Sequence, residues 1–158
     1  MGWRPFGGWV ASGRAHAAAS LILALPCGIA IGWLTNDAGA GMLAAAGCGV
    51  GGIVLSPDLD MAQEITESER LVIRRLGPLG WLWTLLFWPY GILVPHRDWK
   101  SHAPIIGTLG RLLYLALPLL LLARWQGWTL AIPDWLWPWA VGLAVADSIH
   151  WMMDKCPT

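Results

Sequence analysis

Charge is scarce in this chain. Only 13% of its 158 residues are Asp, Glu, Lys or Arg, where a soluble globular domain carries about a quarter. The ten basic and ten acidic residues cancel, and the basic ones form no stripe, which argues against a nucleic-acid-binding surface. Cysteine is scarce too. Cys27, Cys48 and Cys156 are odd in number and lack a C-x-x-C spacing, so they do not read as a disulfide framework or a redox pair and are taken as free thiols in packing roles. No internal repeat is visible, so a transporter of this length would have to oligomerise.

Apolar sequence fills the space that charge leaves. Hydrophobic residues make up 56% and mean hydropathy is +0.54, which indicates an integral membrane protein, and 158 residues are exhausted by one compact domain covering 1–158. Five apolar stretches run roughly over 15–34, 38–55, 78–94, 104–123 and 134–153, each near the ~20 residues a helix needs to cross the hydrocarbon core. The first is expected to stay in the mature protein, because His16 opens it and a second apolar stretch follows closely. Ala24, Gly28 and Gly32, then Gly47 and Gly51, recur every four residues, the small-xxx-small spacing that lets helices approach closely in lipid. These two helices are expected to form the tight centre of the bundle. The clearly polar connection, 57–77, is expected to hold a helix over 61–76.

The third stretch is the shortest. It begins at Pro78, carries Trp81, Trp83 and Trp88, and is interrupted by Pro89-Tyr90-Gly91, so it reads as a re-entrant or interfacial Trp-rich segment. The expected fold is therefore an all-α membrane protein, a bundle of four transmembrane helices plus this segment; five transmembrane helices is the alternative. With four crossings, Arg4, Arg14, Arg70, Arg74, Arg75, Arg97, Lys100 and Lys155 share one face and Arg124 lies opposite, which assigns that face to the cytoplasm. Both termini and every histidine then lie on the cytoplasmic side.

The four histidines each sit near Asp, Arg or Ser at the edge of an apolar stretch. Asp147, His150 and Asp154 fall at i, i+3 and i+7 on one helix face, which suits a metal site or a proton relay. A helix end turning polar explains Asp154 equally well, but not Asp147, which is expensive in lipid without a partner. His96 and His102 flank a charged loop and also read as solvated loop residues. Asp58 and Asp60, in an extended or turn segment after Pro57, present two carboxylates to one ion; alternatively Ser56 and Asp58 cap the following helix, with Asp60 left for the chemistry. His16 is either a ligand or an interfacial side chain reaching water. Arg111, two turns inside its helix, needs a partner, and Asp147 is the candidate. The tryptophans form an interfacial belt with no catalytic role.

Five motifs in this order, Ser12-Gly13-x-x-His16, Ser56-Pro57-Asp58-Leu59-Asp60, His96-Arg97-x-x-x-Ser101-His102-x-Pro104, Gly107-Thr108-x-x-Arg111 and Asp147-x-x-His150-x-x-x-Asp154, resemble a bacterial, largely cyanobacterial family of metal-binding membrane proteins of unknown function. That family is similar in turn to the inner-membrane, metal-dependent hydrolases regulated by the SOS repressor. Where the hydrolase pattern has glycine after its His-Arg pair, this chain has Asp98, which implies a looser turn or an extra carboxylate. The resemblance implies a metal site in a protein of the inner (plasma) or thylakoid membrane and suggests hydrolysis.

The expected ligands are His16, Asp58, Asp60, His96, His102, Asp147, His150 and Asp154. Such a mixed imidazole and carboxylate set suits one or two ions of Zn²⁺, Mn²⁺ or Fe²⁺, which would activate water for hydrolysis. Asp60, His102 and Arg97 are expected to carry catalysis. Arg97, Lys100 and Arg111 are expected to bind substrate, an amphipathic phosphoester or ester reached from the membrane lipids. Two other classes stay open. One is a non-catalytic accessory subunit of a larger, for instance photosynthetic, membrane complex, with partner subunits or further copies of itself; the other is a proton or ion pathway through Asp147, Arg111 and His150.

Overall fold

Ser12 opens the first helix by accepting a hydrogen bond from the Ala15 amide (3.3 Å), satisfying one of the free donors of a helix start. In the computed structural model, which describes residues 12–60, 65–94 and 103–155, this helix, α1, runs over Gly13–Thr35. Asn36 ends it in the left-handed conformation (φ 51°), which asparagine tolerates better than most residues. Asp37 then caps α2 (Ala38–Ala46) by accepting from the Gly39 amide at 2.7 Å. A two-residue turn thus folds α2 back along α1.

The two helices meet where side chains are smallest. A Cβ placed on Gly28 would lie 2.8 Å from the Gly41 carbonyl, and one on Gly41 would lie 2.6 Å from the Gly28 carbonyl, so their backbones are in contact, as the glycine spacing leads one to expect. The second half of the stripe differs from expectation. Gly47 faces the Trp139 carbonyl, 2.0 Å from an added Cβ, and Gly51 faces the Trp139 and Leu143 side chains. Its partner is therefore the last helix, not α1. A π-helical segment covers Gly47–Gly51, and the last helix already meets this one ahead of it, where a Cβ added to Gly142 would lie 2.0 Å from the Ala44 carbonyl. The short α3 (Gly52–Val54) follows, and Gly52 then lies against both Ser20 and Ala146.

Pro57–Asp60 form a 3-10 turn, the second of the two conformations, extended or turn, expected there. The following helix, α4, covers Glu67–Leu76 and is shorter than the expected 61–76. Its cap is Thr66, whose hydroxyl accepts from the Glu69 amide (3.2 Å) while the Glu69 carboxylate accepts from the Thr66 amide (2.8 Å). This reciprocal box leaves Ser56 free of the capping role; its hydroxyl instead accepts from the Asp58 amide at 3.3 Å.

Helix α5 (Gly80–Leu93) continues through Pro89, so the expected interruption at Pro89-Tyr90-Gly91 is not seen. Phe87 and Tyr90 are buried in a cluster with Leu55, Leu59 and Leu143, and the Tyr114 hydroxyl donates to the Leu86 carbonyl at 2.6 Å. That packing outweighs the hydrogen bond lost at proline. At 14 residues, α5 is about 21 Å long, short of the ~30 Å hydrocarbon core. Two longer helices complete the chain, α6 (Pro104–Gln126) and α7 (Leu136–Lys155).

All regular structure among the described residues is helical. Three stretches, Gly13–Thr35, Ala38–Asp60 and Pro104–Gln126, are long and apolar enough to cross a membrane. Helix α7 has the length, about 30 Å, but Asp147, His150, Asp154 and Lys155 lower its hydropathy. The surface is inverted relative to a soluble protein: Ile22, Leu25, Trp33, Leu93, Ile105 and Trp125 are exposed, while Asp60, Arg111, Asp147 and His150 are buried. Such an apolar exterior is compatible with membrane association.

Candidate metal centre

His16 lies one turn into α1, within the turn that Ser12 starts, and is buried. His150 and Asp154 stand one turn apart near the end of α7, on the same face. The 3-10 turn delivers Asp58 to the same end of the bundle. Four residues from three separate parts of the chain thus converge. His16 Nε2 is 3.3 Å from Asp154 Oδ1, His150 Nε2 is 3.5 Å from Asp154 Oδ2, and His150 Nε2 is 3.4 Å from Asp58 Oδ1. The two imidazoles stack, with centroids 3.8 Å apart and planes 14° from parallel.

These spacings fit a shared ion. Zinc bonds to nitrogen and oxygen of about 2.0–2.1 Å in a tetrahedron place neighbouring donors about 3.3 Å apart, and the three contacts fall at 3.3–3.5 Å, longer than a good N–H···O hydrogen bond. Donor atoms of His16, His150 and Asp154 all lie within 4.8 Å of one another. His16 Nδ1, the ring nitrogen not turned to Asp154, is buried with no hydrogen-bond partner among the described residues; an ion at Nε2 leaves it so, whereas a ligating histidine usually donates from its second nitrogen. Imidazole with carboxylate is a donor set for Zn²⁺, Mn²⁺ or Fe²⁺.

A second polar layer lies deeper in the bundle. Arg111 of α6 is fully buried and pairs with Oδ2 of Asp147 on α7, which also accepts from the Thr108 hydroxyl. Arg111 hydrogen-bonds Tyr90 as well, and the charges of Asp60 and Asp147 act on that same tyrosine. Asp147 sits one turn inside His150, within electrostatic reach of it. This pair supplies what a charge in an apolar interior requires, a partner of opposite sign with hydrogen bonds to both.

The expected site residues separate accordingly. His16, Asp58, His150 and Asp154 meet. Asp147, expected both as a ligand and as the partner of Arg111, is engaged through Oδ2 by Arg111 and Thr108. Arg111, expected both as that partner and as a substrate-binding cation, occupies the first role and has no exposed surface. Asp60 is buried on the 3-10 turn, on the Tyr90 side. His96, Arg97, Lys100 and His102 lie outside the described residues.

The structure adds residues that the motifs did not point to. Beside His16 and Asp58, a cleft of about 240 Å³ opens between α1, the end of α2–α3 and α4, walled by Arg14, Ser56, Glu67 and Arg74. In sequence Arg14 and Arg74 speak only to membrane orientation. The available signal was their spacing: Arg14 is two residues before His16, and Arg74 is two turns after Glu67 on one helix face.

Residues 11–158 match a protein family described as "Uncharacterized metal-binding protein (DUF2227)". No curated protein and no solved structure matches the chain.

Proposed function

Because the chain belongs to this family of uncharacterized metal-binding proteins, we propose that it is a membrane-embedded, metal-dependent hydrolase acting on an amphipathic phosphoester or ester at the cytoplasmic face. One observation carries the reading. Two imidazoles and one carboxylate, those of His16, His150 and Asp154, converge closely enough to hold a single ion, with the Asp58 carboxylate 3.4 Å from His150 and a cleft beside them.

His16, His150 and Asp154 would hold the ion and leave a coordination position open, as hydrolytic sites of this kind do, with Asp58 beside His150. When bound, a divalent ion of this kind supplies Lewis acidity and makes water a stronger nucleophile near neutral pH. Asp58, partly exposed and hydrogen-bonded to Ser56, is placed to take a proton at the cleft. Arg111 and Asp147 lock α6 to α7 one turn below His150 and so hold its ring in place.

The membrane arrangement follows from lengths and charges. Gly13–Thr35, Ala38–Asp60, Pro104–Gln126 and α7 cross, and α5, too short to cross, lies at the interface or re-enters. The end of the bundle bearing the site also bears Arg14, Arg70, Arg74 and Arg75, a bias that assigns it to the cytoplasm.

Metal analysis by plasma mass spectrometry on detergent-purified protein tests the reading. About one ion per chain, lost in His16→Ala and Asp154→Ala, is the expected result, followed by metal-dependent turnover in a screen of phosphoesters and esters. Metal-free wild type after purification without chelator would overturn it. A proton pathway is favoured only by the Arg111–Asp147 pair beside His150; proton flux in liposomes that Asp147→Asn abolishes would select it instead.

A further inference from the structure

We infer that the cleft beside the metal centre is a binding site for a phosphate-type anion, gripped by Arg14 and Arg74, and that it accepts this anion only when the metal is present. The inference rests on the metal-centre reading and adds a substrate class and the residues that recognise it.

Charge around the cleft motivates the second half. Arg14, Arg74, Asp58 and Glu67 all line it, so the four formal charges cancel and the cleft by itself has no preference for an anion. A divalent ion at His16, His150 and Asp154 leaves a surplus of positive charge at one wall, and a bound ion dominates the local field.

The two arginines are poised differently. Arg74 donates its Nε to the Arg70 carbonyl (3.3 Å), which orients the guanidinium, and its Nη2 lies 3.8 Å from Glu67. That contact is long and largely solvent-exposed, and such pairs contribute little, so Glu67 is readily exchanged for a stronger acceptor. Arg14 is exposed and has no ion pair among the described residues. Guanidinium forks match phosphate oxygens in pairs.

Size and lining set the class further. About 240 Å³ is below the about 300–1,000 Å³ of sites for drug-sized ligands, which suits a headgroup rather than a whole lipid. Ala17, Ile53 and Leu71 supply apolar wall next to lipid-facing surface, where the first carbons of a chain would lie. The shared chemistry is a terminal phosphate group, whether of a lipid headgroup or of free phosphate.

The test is calorimetric titration of the full-length protein in detergent with inorganic phosphate and, separately, with dioctanoyl phosphatidic acid. Wild type is compared metal-loaded and chelator-treated, beside Arg14→Gln, Arg74→Gln and the double variant, with metal content measured on each. The expected result is binding to loaded wild type that weakens at least about tenfold in the double variant, whose metal content is unchanged, and about as much on chelation; a tenfold change is about 1.4 kcal/mol. Tighter binding of the lipid identifies the headgroup as ligand, and equal binding identifies free phosphate; both uphold the anion site. If the double variant holds metal and binds both probes as wild type does, the anion site is overturned while the metal centre stands. If chelation leaves binding unchanged, the metal coupling is overturned. Wild type that holds no metal overturns both.

Discussion

His16 and His150 come from opposite ends of the chain and stack ring on ring, 3.8 Å apart, each with Nε2 turned to a different oxygen of the Asp154 carboxylate. One carboxylate therefore joins α1 to α7, and the site cannot form until the first and last helices are packed. Metal binding and assembly of the bundle are linked through that contact.

Chelation should therefore lower stability as well as remove metal. A ligand that binds only the folded state adds about 2.7 kcal/mol at a hundredfold excess over its Kd. Thermal unfolding in detergent is expected to show a midpoint that rises with added Zn²⁺ in wild type and does not move in His16→Ala. An equal rise in both would place the stabilising ion elsewhere.

Removal of single donors should grade with their place in the site. Metal content is expected to fall to about a tenth or less in His150→Ala and Asp154→Ala, because each deletes a donor with two contacts in the cluster, whereas Asp58→Asn, at a residue that meets the cluster through His150, should retain a measurable fraction. A full complement of metal in His150→Ala would count against the assignment.

Breaking the Arg111–Asp147 pair should damage the fold more than the site. Removing one partner of a buried ion pair costs about 3–5 kcal/mol, while replacing both with apolar residues is often neutral. Arg111→Met and Asp147→Leu are each expected to lower the unfolding midpoint sharply, and the double variant to recover much of the loss. Equal loss in all three would mean that the pair does more than hold α6 to α7.

Glycine contacts give a sharp contrast. An added Cβ on Gly142 would lie 2.0 Å from the Ala44 carbonyl, whereas one on Gly110 meets nothing within 4 Å. Gly142→Ala is expected to cost about 1–3 kcal/mol through forced helix separation, and Gly110→Ala to be neutral or stabilising by up to about 1 kcal/mol from helix propensity. Unfolding midpoints of the two variants decide it.

Much of this is already present in the amino-acid order. Sparse charge and long apolar stretches determine helices of near-membrane length, and the cost of an unpaired charge in an apolar interior makes Arg111 and Asp147 natural partners. The spacing of Asp147, His150 and Asp154 puts them on one face, and the T-x-x-E pattern at Thr66-Glu67-Ser68-Glu69 carries the cap of α4, although the helix itself was expected to start earlier. Periodicity defines a face within one helix, however, and says nothing about which neighbour that face meets. Packing decided that Gly47 and Gly51 contact α7, because the close approach of Ala44 to Gly142 brings the two backbones together, and that α5 continues through Pro89, because Phe87 and Tyr90 gain a core. It also separated the polar residues into an outer group built on His16, His150, Asp154 and Asp58 and an inner pair, and set Arg14 and Arg74 on either side of one cleft. Contacts between residues far apart in the chain depend on how whole helices dock, and docking is settled by backbone approach and side-chain volume summed over the bundle.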